Sequence, residues 1–202
     1  ENTLVLATKL GMIKRLKLNL LSKRGGVTKI ASLKEGDEFV KALIGKDDDE
    51  VLIATEQGLY VRYKLDLIRP SGKTARGVIA MKLKQEGDKV FTMTTIKDSD
   101  DLVIVTEQGI GKRTAAKDYG ASKTKGGKGQ ILYKSNNRTG KVAALLTVND
   151  ENLLITTANA SVIRLDSNSL SKLTKAAMGN KLINLNDGDE VVSVAKIVPQ
   201  QE

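Results

Sequence analysis

Lysine and arginine dominate the chemistry open to this chain. Four stretches, residues 14–30, 61–76, 112–128 and 163–181, hold 21 Lys and Arg against three acids, Asp66, Asp118 and Asp166. Cations in such runs attract anions, and the formal charge of +9 with a pI near 9.6 points to nucleic acid ahead of a membrane, since no basic amphipathic helix is evident. The loop residues best placed for phosphate are Lys23, Arg24, Arg69, Lys73, Arg76, Lys123, Lys125, Lys128, Lys172, Lys175 and Lys181, which have few acidic neighbours. Lys14 and Lys112 precede two members of a recurring set, Arg15, Arg62, Arg113 and Arg164. That arginine has two readings: a phosphate contact, or an ion pair with an acid on its own hairpin or the next one. The pairs Gly25-Gly26 and Gly126-Gly127 either let backbone N–H groups approach a phosphate or simply make turns.

Other chemistry is missing. With no His and no Cys there is no imidazole acid–base pair, no thiol nucleophile and no zinc site. Asp47-Asp48-Asp49-Glu50 lacks the alternating ligands and central glycine of a calcium loop, and the glycine clusters miss the phosphate-loop and dinucleotide spacings. Tyr60, Tyr63, Tyr119 and Tyr133 have no base nearby in sequence and read as packing residues. The expectation is a binding module with no catalytic residue, cofactor or metal. The absence of cysteine fits a cytoplasmic protein, and no apolar run reaches the roughly 20 residues that span a bilayer.

The elements that position these cations follow from a repeat. LVLATKLGMIKRL from Leu4, VLIATEQGLYVRY from Val51, LVIVTEQGIGKRT from Leu102 and LLITTANASVIRL from Leu153 align, with Thr8, Thr55, Thr106 and Thr157 spaced 47, 51 and 51 residues apart. A second phrase recurs as GDEFV from Gly36, GDKVF from Gly87, TGKVA from Thr139 and GDEVV from Gly188. A period near fifty residues is a signature of propellers and arrays. Each apolar run reads as a buried strand, each Gly-containing turn as a hairpin, and the basic connection ends at a glycine (Gly26, Gly77, Gly129, Gly179) before a further strand. In the fourth turn Ala160 replaces glycine, and Asn159 is expected to take the left-handed backbone. Residues Ser167 to Ala177 could form a short helical turn.

The expected fold is all-β, a single propeller-like domain over residues 1–202 with four strands per repeat. The repeats run approximately over 1–50, 51–101, 102–152 and 153–202. Symmetry then predicts one positive belt of basic loops, with the acidic turns (Asp47 to Glu50, Asp98 with Asp100 and Asp101, Asp150 with Glu151) carried away from it.

The stretch TEQGIGKRT from Thr106, with the fifty-residue period, resembles a repeat of the C-terminal domain of bacterial type IIA topoisomerase A subunits, namely ParC of topoisomerase IV and its gyrase counterpart. The resemblance covers all four repeats. It implies a β-pinwheel, a ring of blades that exchange strands, with duplex DNA bent around a basic outer edge. It also implies partners: the N-terminal cleavage core of the same polypeptide and, through it, the ATPase B subunit. The family's cleavage tyrosine belongs to another region, with no counterpart here. The gyrase box Gln-Arg-Arg-Gly-Gly-Arg-Gly has its nearest match in Lys123-Thr-Lys-Gly-Gly-Lys-Gly129, in the third repeat and not the first. Either the chain is a ParC domain with a degenerate box, or it is a gyrase piece without its leading blades.

Two functions are thus expected in order: a non-catalytic, DNA-bending domain located with the bacterial nucleoid, and alternatively a propeller that binds an acidic protein. Few aromatic residues argue against base stacking.

Overall fold

A computed structural model describes residues 1–21 and 25–198. The chain is all-β and propeller-like, with four blades. Each blade is opened by a hairpin of two six-residue or near-six-residue strands. These are β1 (Thr3–Thr8) and β2 (Met12–Lys17), then β4 (Glu50–Thr55) and β5 (Leu59–Lys64). The later pairs are β8 (Asp101–Thr106) with β9 (Ile110–Ala115), and β12 (Asn152–Thr157) with β13 (Val162–Asp166). A third strand from each repeat pairs with the first: β3 (Phe39–Gly45), β7 (Val90–Ile96), β11 (Val142–Val148) and β15 (Val191–Ile197). The first strands of blades 1 to 3 are buried on both faces, which is why they read as unbroken apolar runs, whereas β12 alternates between buried and half-buried residues.

The recurring threonine has a local cause. Thr8, Thr106 and Thr157 accept at Oγ1 from the N–H of Met12, Ile110 and Ser161, closing the hairpin from inside. The second phrase explains itself at the same turn. Asp37 Oδ1 accepts from the N–H groups of Leu10 and Glu38, and Asp189 Oδ1 from those of Asn159 and Glu190. In the fourth turn the left-handed residue is Ala160, at φ 62°, and not Asn159 as the sequence suggests. The alanine sits at the position where the other repeats carry glycine.

The fourth strand of a blade comes from the following repeat. β6 (Val78–Ile79) pairs with β2 through Met12↔Ile79 and Ile13↔Val78, β10 (Gln130–Ile131) borders β5, and β14 (Asn180–Lys181) pairs with β9. The sheet orders are β3-β1-β2-β6, β10-β5-β4-β7, β11-β8-β9-β14 and β13-β12-β15. The sequence places these short strands after Gly77, Gly129 and Gly179, as observed; the segment after Gly26 forms no strand. Glycine is needed at the crossing because the donated strand lies directly on the acceptor. A Cβ on Gly77 or Gly179 would run into the carbonyl oxygen of Ile13 or Gly111. A three-residue 3-10 turn follows each hairpin, at Leu18–Leu20, Leu65–Leu67, Ala116–Asp118 and Ser167–Ser169. The helical turn expected from Ser167 is therefore real but shorter, and it has a counterpart in every repeat.

The chain divides into two compact units. The first contains Glu1–Thr55, Tyr60–Thr95 and Ala121–Gln130, and so most of the first two sheets. Its interior includes Val5, Ile13, Leu16, Val51, Ile53, Leu65 and Ile68. The second contains Glu56–Leu59, Ile96–Gly120 and Ile131 onward, with a core of Val103, Val105, Val148, Leu153, Ile155, Ile183 and Val191. No helix of the described residues is long and apolar enough to cross a membrane.

Candidate nucleic-acid interface

The basic residues separate into two populations. Those in the middle of the second hairpin strand of blades 1 to 3 are drawn inward. Lys14 and Lys112 are 2% and 1% exposed. Lys14 Nζ donates to the carbonyls of Ile30 (2.6 Å), Lys73 (3.1 Å) and Ala75 (2.8 Å). Lys112 Nζ donates to Thr174 (3.2 Å), Lys175 (2.7 Å) and Ala177 (2.7 Å). These carbonyls belong largely to the connection of the following repeat, so each ammonium staples that connection to its blade. Burial holds Lys14 below the ordinary lysine range and brings Lys112 down to about 8, with the nearby Lys175 charge adding to the latter shift.

The recurring arginine does related work. Arg15 is 1% exposed; Nη1 donates to the carbonyls of Leu65 (2.8 Å) and Ile68 (3.0 Å), at the 3-10 turn of the next repeat. Its Nη2 meets Asp47 Oδ1 at 2.7 Å, and that hydrogen bond and charge hold the Asp47 carboxyl below its usual range. Arg62 is buried against Glu50 at 2.6 Å. Arg113 pairs with Asp101 at 2.8 Å and donates to the carbonyls of Ser167 and Asn149. Burial alone would raise Asp101, but hydrogen bonds from Lys172 and Arg113 outweigh it and lower its pKa. The expectation that Lys14, Arg15, Arg62, Lys112 and Arg113 face phosphate is therefore corrected: the first four are buried and Arg113 is half-buried, and each is held by acceptors of the protein itself. The acidic turns are corrected with them. Asp47, Glu50 and Asp101 are not carried away from the cations but are the partners of this arginine.

The second population lies on the connections and faces outward. In the first unit, residues 67–82 and 121–130 contain no acid. Arg69, Arg76, Lys123, Lys125 and Lys128 are exposed and Lys73 is half-buried. These two connections are laced together. Gly126 N–H donates to Ala80 O (3.0 Å), Lys82 N–H to Gly127 O (2.8 Å), and Lys125 Nζ to Leu67 O (3.0 Å). Among the described residues, Arg69, Lys73, Arg76, Lys123 and Lys128 have no carboxylate partner. Gly126 uses its N–H inside the protein, so the turn reading holds for that glycine. Gly25 and Gly26 are open, with space around both.

In the second unit Lys181 and Arg164 are exposed, Lys172 is exposed but paired with Asp101 at 2.8 Å, and half-buried Lys175 stands 5.1 Å over the Tyr119 ring. Lys23 and Arg24 lie outside the described residues. Lys64 and Lys117, which sequence reasoning passes over, are exposed on the same connections; their place within the basic runs is the available signal. All four tyrosines are buried, as packing residues are expected to be. Among the described residues no group of His, Cys, Asp and Glu could hold a metal ion.

Known proteins share this arrangement. The sequence profile of the DNA gyrase C-terminal domain, a β-propeller, matches residues 2–46, 49–97, 100–149 and 151–197. The gyrase A protein of Staphylococcus epidermidis is 37% identical over 201 residues, covering 98% of this chain and 22% of that protein. The chain thus spans about a fifth of the length of that relative. A solved DNA gyrase A C-terminal domain superposes with a TM-score of 0.86 at 28% identity, covering 98% of this chain and 66% of that one. The C-terminal domain of DNA topoisomerase IV shares the fold, with a TM-score of 0.88 at 18% identity over 97% of this chain and 62% of that one.

Proposed function

Since the chain belongs to the DNA gyrase C-terminal domain family, we propose that it is a non-catalytic module that binds and bends duplex DNA for a type II topoisomerase. The observation that carries this reading is the laced pair of connections in the first unit. Arg69, Lys73, Arg76, Lys123, Lys125 and Lys128 converge there with no acid in either stretch. Exposed cations on hydrogen-bonded loops favour the regular phosphates of a duplex over a particular base sequence. Bending a site costs roughly 1–6 kcal/mol, which phosphate contacts of this kind offset. The cleavage core of the same polypeptide, with the ATPase B subunit beyond it, completes the proposed set of partners, acting on DNA in the bacterial cytoplasm.

Fluorescence anisotropy with a mixed-sequence duplex tests this. Contact with about six phosphates gives a slope of log K against log salt near −5. The triple variant Lys123→Glu, Lys125→Glu, Lys128→Glu should bind at least about tenfold more weakly and with a shallower slope. A wild-type slope shallower than about −2, or binding untouched by the three reversals, removes the interface from this face. Failure to bind duplex at all would favour the acidic-protein reading.

A further inference from the structure

The short strands β6 and β10 lie at the ends of their sheets, and each closes on an exposed isoleucine. Ile79 is 45% exposed and Ile131 50%. Blade 2, which carries Ile131, has one repeat before it and others after it, so this exposure belongs to the position in the repeat. In blade 3 the same place is held by Lys181, the kind of residue that ordinarily guards a sheet edge. Both isoleucines follow a cation by three residues, Arg76 and Lys128.

The first unit shows what surrounds Ile79. Residues 67–82 and 121–130 carry no acid, so every charge in these two connections is positive. The hydrogen bonds Gly126 N–H to Ala80 O and Lys82 N–H to Gly127 O bring the glycine pair alongside this segment. A Cβ on Gly126 would stand 3.8 Å from Ile79 Cγ2, so glycine there leaves the isoleucine uncovered. An aliphatic side chain among cations calls for a partner with apolar surface between anionic groups. The minor groove of B-form DNA has that chemistry, a slot about 6 Å wide walled by deoxyribose between two phosphate rows. The minor groove of an RNA duplex is wide and shallow and displays 2′-hydroxyls, which an isoleucine cannot satisfy.

We propose, resting on the reading that this face binds a duplex, that Ile79, and Ile131 in the same way from blade 2, pack against deoxyribose in the minor groove and make the surface select DNA over RNA. Phosphate contacts alone do not distinguish the two duplexes, because both carry the same charges. The cations supply attachment, and the isoleucines read the sugar.

Fluorescence anisotropy with DNA and RNA duplexes of one length and sequence, titrated at several salt concentrations, tests this. The wild type should bind DNA about fivefold more tightly than RNA, the worth of a partly buried aliphatic contact. The double variant Ile79→Ser, Ile131→Ser should lose about that factor on DNA at every salt concentration, with the slope of log K against log salt still near −5. Its affinity for RNA should not change, so the gap between the duplexes closes. Circular dichroism and thermal unfolding should match the wild type, as expected of exposed positions. A wild type that binds both duplexes equally overturns the inference and leaves duplex binding standing. A wild type that binds neither removes the functional reading and this inference with it. A variant that keeps the preference leaves the isoleucines to a protein partner, and one whose salt slope falls shows that they only support the loops; either result overturns the assignment.

Discussion

Gly109, Lys112 and Arg113 of blade 3 occupy the same places in the repeat as Ala160, Ile163 and Arg164 of blade 4, and both blades sit in the second unit. In blade 3 the lysine is stapled to three carbonyls and the arginine is held by Asp101 and the Ser167 turn. In blade 4 the lysine is replaced by isoleucine, and the arginine stands exposed. A recurring cation therefore does not carry a fixed role. Its role depends on the acceptors placed around it.

The strongest way to break this comparison is to remove both arginines in turn. Arg113→Met leaves Asp101 with Lys172 as its remaining cation and strips the Ser167 turn of a donor, and should cost about 2 kcal/mol in urea unfolding, less than a buried pair with no second cation would lose. Arg164→Met should stay within about 0.5 kcal/mol, the range of ordinary surface changes. Equal losses at the two sites would mean that the arginine stabilises its own hairpin and not the junction.

The lysine position sharpens the contrast through pH. The Lys112 pKa is lowered to about 8 in the folded chain, whereas the unfolded side chain titrates at about 10.4. Between those values the unfolded state binds more protons, so this group's contribution to stability rises with pH, by at most about 1.4 kcal/mol per unit. Below pH 8 it is flat. Thermal unfolding of wild type and Lys112→Met from pH 7 to 10 should show the gap moving in favour of wild type above pH 8. A gap independent of pH would show that the three carbonyls keep the ammonium charged throughout.

The turn gives the smallest effect. Ala160→Gly should relieve the left-handed strain and stabilise by about 0.5–1 kcal/mol after the entropy of a freer unfolded chain is subtracted. Gly109→Ala, by contrast, would press a Cβ against Ile183 and should destabilise. Differential scanning calorimetry separates the two signs.

Much of this architecture is legible in the residues. The Thr-to-Thr spacing, the buried apolar runs and the glycines that lead the short strands all locate elements that exist. What periodicity does not reveal is ownership. A strand of two residues such as β6 carries no pattern that names its neighbour, so its transfer to the preceding blade is invisible in sequence. Lys14 and Lys112 mislead for a related reason: a lysine in a basic run reads as solvated, and the carbonyls that bury it lie some sixty residues onward. One clue was present. The other two repeats place Val61 and Ile163 at that position, and a site that alternates between lysine and aliphatic residues faces inward. The three-residue 3-10 turns were too short for any period to register.

The donated strands also set an order of assembly during synthesis. The first hairpin can form as soon as it leaves the ribosome, but its outer edge stays open until Val78 and Ile79 emerge. The next two sheets wait in the same way for residues still to be translated. The array is therefore sealed behind its growing end, one repeat late, and a stalled or truncated product exposes a raw edge to neighbouring chains wherever it stops.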